Sequence, residues 1–199
     1  ETSGMLNAGL DFSTNNNRMS GSVDYFRKKG KDLFGPQLLD YTTGIGYMLT
    51  NIAETEGNGF DVHLNGLLIN SGLKWQSVFN FSTFKDKVVN YYLQDPMASQ
   101  FIGNGSNVPI SGIAGRPVYS IFAYRWGGLN PETGDPIGYL NGEQSQDYSA
   151  ITGTGTKAED LEYFGSAIPT VYGSFINTFT YKNFSLDVAI AYKLGYFFR

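Results

Sequence analysis

Apolar and polar residues alternate one by one along three separate stretches of the chain. In the first, Leu6, Ala8, Leu10 and Phe12 are interleaved with Asn7, Gly9, Asp11 and Ser13. The polar run STNNNR (13–18) reads as a turn, and alternation resumes with Met19, Gly21, Val23 and Tyr25 against Ser20, Ser22 and Asp24. The second stretch sets Phe60, Val62, Leu64, Gly66 and Leu68 against Asp61, His63 and Asn65. It turns at Asn70-Ser71-Gly72 into Trp75, Ser77, Phe79 and Phe81, with Lys74, Gln76 and Asn80 between. The third runs through Val171, Gly173, Phe175, Phe179 and Tyr181, turns at Lys182-Asn183, and continues with Phe184, Leu186, Val188, Ile190 and Tyr192; Asp187 and Lys193 lie opposite. Successive strand side chains point to opposite faces, so each stretch predicts a β-hairpin with one oily and one polar face.

The connections are unequal. Turns within hairpins are short, whereas the links at about 27–58 and 85–170 are long, and structureless links of that length count against a compact soluble domain. Short turns at one end and long loops at the other are the pattern of an outer-membrane barrel. The alternating segments are close to the nine to eleven residues (roughly) that a tilted strand needs to cross a bilayer. Aromatic residues gather at the segment ends, as interfacial girdles require: Phe12, Phe179, Tyr181 and Phe184 by the short turns, and Tyr25, Phe26, Tyr91 and Tyr92 toward the long links. Alternation by itself also suits a water-soluble β-sandwich. Loop asymmetry and the girdles favour the membrane barrel.

Composition narrows the chemistry. Twenty-five glycines and 16% aromatic residues among abundant Asn, Ser and Thr disfavour helix and suit strands and turns. With no cysteine, disulfides, thiolate metal sites and a thiol nucleophile are excluded. The net charge of −4, with both signs interspersed, gives no nucleic-acid stripe. No run of about eighteen apolar residues is present to form a membrane helix, which says nothing against membrane strands. The opening ETSGMLNAGLDF has neither the basic start nor the apolar stretch of a signal peptide, and it leads almost directly into alternation. The chain is therefore expected to be cut from something longer.

Four blocks in order resemble the SusC/RagA-type TonB-dependent transporters. NAGLDFSTNNNRMSGSVDYFRKKGKDLF (7–34) is similar to that family's strand–turn–strand segment, and NIAETEGNGFDVHLNG (51–66) to its "N-G---N-GFE--L" segment. GRPVYSIFAYRWGGLNPETGDPIGY (115–139) resembles its "PETGDP" loop, and FGSAIPTVYGSFINTFTYKNFSLDVAIAYKLG (164–195) its "NTF-YK-FDLS" hairpin. Asp61 stands where the family often has Glu, and Ser174 replaces one of a glycine pair. The resemblance implies an all-β fold: a transmembrane antiparallel β-barrel segment, part of a plugged barrel of about 22 strands with long extracellular loops and short periplasmic turns. Residues 1–199 would be part of that single barrel domain, with the plug, the TonB box and the closing strands outside the segment. It further implies a bacterial outer-membrane location, import of oligosaccharides or peptides, a SusD-like surface lipoprotein as partner, and energy from the TonB complex through the plug. Outer-membrane lipid would surround the wall. The rivals are a soluble β-sandwich glycan-binding module and a passive porin or adhesin.

No catalytic, cofactor-binding or metal-binding residue is expected. GLNPETGDPIGY (128–139) supplies too few oxygen ligands in Glu132 and Asp135 for a calcium loop and lacks the Lys-Ser/Thr of a phosphate loop, so it reads as a turn. GIG (44–46) and GTG (153–155) lack a dinucleotide-binding context. Glu54/Glu56 and Glu159/Asp160/Glu162 lack any identifiable partner base or nucleophile, and His63 is a lone histidine. RKKGK (27–31) is a solvated charge run or a contact for anionic lipopolysaccharide at the outer rim. Tyr119, Phe122, Tyr124, Trp126, Tyr139 and Tyr148 form a dense set for an exposed loop, facing partner or substrate, or packing a small core of the loop itself. Asp24, Asp61, His63, Asn65, Lys74, Gln76, Asn80 and Asp187 are expected to face a polar lumen around the plug.

Overall fold

The computed structural model describes residues 1–38, 42, 44, 47–92, 98–102, 110 and 112–198. Strands β1 (Thr2–Ser13), β2 (Met19–Leu38), β3 (Tyr47–Asn70) and β4 (Leu73–Tyr91) form a meander. After a loop unit, β9 (Val171–Tyr181) and β10 (Phe184–Leu194) complete one antiparallel sheet of six strands in the order β1-β2-β3-β4-β9-β10. The loop unit holds β5 (Ser120–Ala123), β6 (Gly138–Leu140), β7 (Glu143–Ser145), α1 (Tyr148–Thr152) and β8 (Glu162–Ser166), with β5 paired to β8 and β6 to β7.

Register carries the alternation across the whole sheet. Leu10 pairs with Val23, Val23 with Val62, and Val62 with Phe81. Phe81 then pairs with Gly173, and Gly173 with Tyr192. A single apolar row thus crosses all six strands, and the rows beside it repeat the pattern. Because side chains alternate with period two, every residue of these rows lies on one face. A bulge between Leu67 and Ile69 shifts that parity near the lower turn, so Ile69 rather than Leu68 pairs with Trp75.

That apolar face has no cover among the described residues. Leu6, Leu10, Leu186 and Ile190 are 55–68% exposed. In water each uncovered Leu or Ile forgoes about 1.5–3 kcal/mol of burial. Four of them alone rival the whole stability of an ordinary domain, about 5–15 kcal/mol. A soluble sandwich would set a second sheet here; lipid is the solvent that leaves nothing to be covered.

The expected loop at 27–58 is mostly strand: β2 runs on to Leu38 and β3 begins at Tyr47. Alternation in apolarity fades there because the strands have left the oily layer, while backbone pairing persists without it. The link after β4 does fold as a loop unit, starting past Tyr91.

Two of the expected girdle aromatics are reassigned. Tyr25 faces the oily side and meets Phe60 at a centroid distance of 5.0 Å. Phe26, one residue on, points to the polar side and stacks on Phe84 at 5.9 Å. Tyr91 packs its ring against Gly112 of the loop unit. At the lower end Phe12, Phe179, Tyr181 and Phe184 all fall on the oily face by register, and Phe179 stacks on Trp75 at 5.4 Å beside the short turns.

Candidate functional site

The polar face holds the residues expected to line a lumen. Asp24 and Asp61 are cross-strand partners, as are His63 and Asn80. His63 Nδ1 lies 2.7 Å from Asn80 Oδ1, and Asn80 Nδ2 donates to Ser174 Oγ at 2.9 Å. Gln76 Nε2 donates to Asn65 Oδ1 at 3.2 Å, and Thr178 Oγ1 to Asp187 Oδ1 at 2.6 Å. Lys74 shares this face opposite Thr180. The result is a hydrogen-bonded ladder that presents carboxylates, amides and hydroxyls to water. Its partners are one another, and no nucleophile–base pairing emerges from them.

Glu54, Glu56, Glu159 and Asp160 have structural partners. Glu54 accepts from Asn90 Nδ2 at 2.6 Å, and Glu56 is held by Arg27 and Lys87 at 3.0 Å each. Asp160 accepts from the Lys157 backbone at 3.4 Å, and Glu159 lies 3.8 Å from Lys157 Nζ. Among the described residues no group of three or more His, Asp or Glu could hold a metal ion.

The loop unit is anchored to the polar face of the sheet. Asp86 Oδ2 accepts from Val118 N–H at 3.1 Å, and Val88 exchanges backbone hydrogen bonds with Arg116 and Gly115. Asp86 escaped notice in the sequence, since a lone aspartate at a strand end carries no signal of its distant partner. The unit has its own small core of Ala98, Phe101, Phe122, Ala158 and Leu161.

That core divides the loop aromatics. Phe122 is buried, edge-on to Phe101 at 5.9 Å and tilted against Tyr163 at 5.5 Å, so it is withdrawn from any partner-facing role. Tyr124 packs against the same core, and burial pushes its phenol up from the ordinary value. Tyr139 lies under the Arg125 guanidinium at 4.3 Å. Tyr148 donates to Pro136 O at 2.7 Å yet stays exposed, as does Tyr119. Trp126 is 63% exposed, the most open of the set.

GLNPETGDPIGY is a turn built by hydrogen bonds. Asn130 Oδ1 accepts from Glu132 N at 2.9 Å and Thr133 N at 3.4 Å, an Asx-type closure. Asn130 N donates to Asp135 O at 2.8 Å, and Gly134 takes the positive φ of 77° that a side chain resists. Asn130→Ala should cost the turn about 1 kcal/mol per lost hydrogen bond. Limited proteolysis of the folded protein is expected to nick 128–139 faster in this variant, and an unchanged rate would show that the prolines alone hold the turn.

No family model matches the chain. It is 28% identical over 207 residues to TonB-dependent receptor P3 of Formosa agariphila, covering 98% of this chain and 20% of the relative. To TonB-dependent receptor P26 of the same organism it is 25% identical over 190 residues, covering 92% and 19%. The chain thus spans about a fifth of the length of the curated relatives it matches. A solved structure of the RagAB peptide transporter superposes with a TM-score of 0.73 at 22% identity, over 98% of this chain and 21% of that one. The RagAB peptide importer in its "open-open" state gives 0.72, again at 22% identity, over 98% and 20%. At that identity the structures speak for the fold. The likeness to SusC/RagA-type TonB-dependent transporters carried by the four blocks holds, and with it the all-β barrel wall and the outer-membrane location. These relatives are named receptors and transporters rather than enzymes.

Proposed function

We propose that this segment, akin to TonB-dependent receptors and folded as a piece of outer-membrane barrel wall, serves an active nutrient importer. The single observation that carries the reading is the uncovered apolar face backed by a continuous polar ladder. That combination suits lipid on one side and a water-filled, plugged lumen on the other. In this reading residues 1–199 belong to one barrel domain of about 22 strands. The edge strands β1 and β10 pair with neighbouring strands of the wall, because an open edge in lipid would leave several kcal/mol of unmet hydrogen bonding per group. Asp24, Asp61, His63, Lys74 and Asp187 face the lumen around the plug.

The cargo is an oligosaccharide or peptide, captured beneath a SusD-like lipoprotein that rests on the loop unit, with energy delivered by TonB through the plug. Trp126, Tyr119 and Tyr148 are the exposed aromatics suited to that lipoprotein. Large amphipathic rings of this kind carry a disproportionate share of interface energy. Trp126→Ala in the full-length transporter is expected to weaken lipoprotein capture by at least about thirtyfold, since a hot-spot truncation costs about 2 kcal/mol or more. Capture and uptake unchanged at normal expression would remove Trp126 from the interface. Uptake that survives collapse of the proton gradient would replace the importer with a passive pore.

A further inference from the structure

Across β2, β3 and β4 the oily face stops at the row that holds Tyr25 and Phe60 and is succeeded by cations; on β1, Leu6 carries it one row further, opposite Arg27. Tyr25 pairs with Phe60 and Phe60 with Thr83. In the next row of the same face, Arg27 pairs with Asn58 and Asn58 with Lys85. In the row after that, Lys29 pairs with Glu56 and Glu56 with Lys87. By register all six side chains lie on the lipid side of the wall, with four cations on β2 and β4 flanking one carboxylate and one amide on β3.

The height is right for headgroups. Lys85 is ten residues above the lower-girdle Trp75 on β4. At about 3.4 Å per residue and a tilt of about 40°, that places it roughly 26 Å higher, at the edge of an apolar band about 25 Å tall.

Glu56 is already satisfied. Arg27 Nη2 and Lys87 Nζ each reach one of its carboxylate oxygens at 3.0 Å. Four cations set against this one carboxylate leave the grid an excess of positive charge. Lys29 and Lys85 make no ion pair among the described residues. Below Arg27 a shallow groove is lined by Ala8, Gly9, Leu10, Val23 and Tyr25. Lys28, by contrast, lies over the Phe26 and Phe84 rings on the polar side, so the RKKGK run divides between the two faces.

We propose that Arg27, Lys29, Lys85 and Lys87 form a docking site for a phosphate-bearing lipid of the outer leaflet, with an acyl chain in the groove below. The proposal rests on the membrane-wall reading. Charge complementarity selects the occupant: phosphate at the end of a hydrocarbon chain matches cations at the end of an oily lane. A soluble anion would match only the cations.

The test uses the full-length transporter in mild detergent, titrated with phosphorylated lipid A and with the same lipid after enzymatic dephosphorylation, with occupancy read by native mass spectrometry. The Lys29→Gln/Lys85→Gln variant is expected to lose roughly 25-fold in affinity for the phosphorylated lipid, about fivefold per lysine near a lipid surface. The dephosphorylated lipid should bind weakly and equally to both proteins, and Lys29→Arg/Lys85→Arg should restore the difference. A heat-dependent gel shift shows that each variant is folded. A folded glutamine variant with undiminished occupancy overturns the site, and full competition by inorganic phosphate overturns the lipid as its occupant. Absence of a heat shift in the unmutated protein would instead remove the barrel reading beneath it.

Discussion

Gly59→Ala is expected to destabilise the heat-shifting, folded form by about 3 kcal/mol. Gly59 sits on the polar side of β3 between Phe26 of β2 and Phe84 of β4, whose rings stack over it. A methyl group there would lie 2.6 Å from Phe26 Cζ and inside the contact radius of the Thr83 carbonyl oxygen. The ring could swing aside; the carbonyl belongs to the backbone of β4 and cannot, so relief requires moving a strand. Overpacking typically costs about 1–3 kcal/mol, and the need to shift backbone puts this site at the upper end. Lys28, whose Nζ lies 5.4 Å and 6.0 Å from the two ring centres, would lose its seat as well. Urea unfolding of the refolded full-length barrel should show the midpoint falling, with the heat-shifted fraction falling in parallel. A midpoint equal to that of the unmutated protein would mean that the ring pair, and not the glycine, governs the local geometry.

The second large effect lies on the opposite face. Asn177 is buried on the apolar face, in a row with Met19, Gly66, Val188 and the one other polar residue Ser77. Its Oδ1 accepts from Trp75 Nε1 at 3.0 Å and also from the Ser77 hydroxyl. Asn177→Leu removes the acceptor and strands both donors where lipid and rings exclude water. At about 1–3 kcal/mol for each unsatisfied group, the loss should be about 2–4 kcal/mol, despite a gain in apolarity that simple hydropathy would favour. The triple variant Trp75→Phe/Ser77→Ala/Asn177→Leu removes donors together with acceptor and should recover most of the difference. Equilibrium unfolding in lipid vesicles measures both, and the non-additivity between single and triple variants reports the coupling. If Asn177→Leu proved stabilising, the hydrogen bonds would be incidental to an ill-placed polar residue.

Much of the wall could be read from residue order. Leu6, Ala8, Leu10 and Phe12 announce a face because alternation is a property of neighbours, and no distant contact is needed to see it. The turn at Asn130–Asp135 was equally legible, since Asn, Pro and Gly impose their own backbone preferences. The extent of β2 and β3 was not. Beyond the oily layer, Arg27–Leu38 and Tyr47–Asn58 stay paired through main-chain hydrogen bonds, and those leave no apolar rhythm. Phe122 and Trp126, four residues apart in one loop, could not be sorted into buried and exposed. Their fates depend on Phe101 and Leu161, which the fold brings to one and not the other.

The amino-acid order by itself therefore determined strand, turn and the choice of face, all of which follow from interactions within a few residues and a period of two. The tertiary structure decided which side chains cooperate. Trp75 meets Asn177 across 102 positions of sequence, and Asp86 holds Val118 across 32. The cation rows assemble only when β2 and β4 flank β3 in register. Such partners carry no mark in the linear pattern, because the ladder that joins them is made by backbone groups every residue shares.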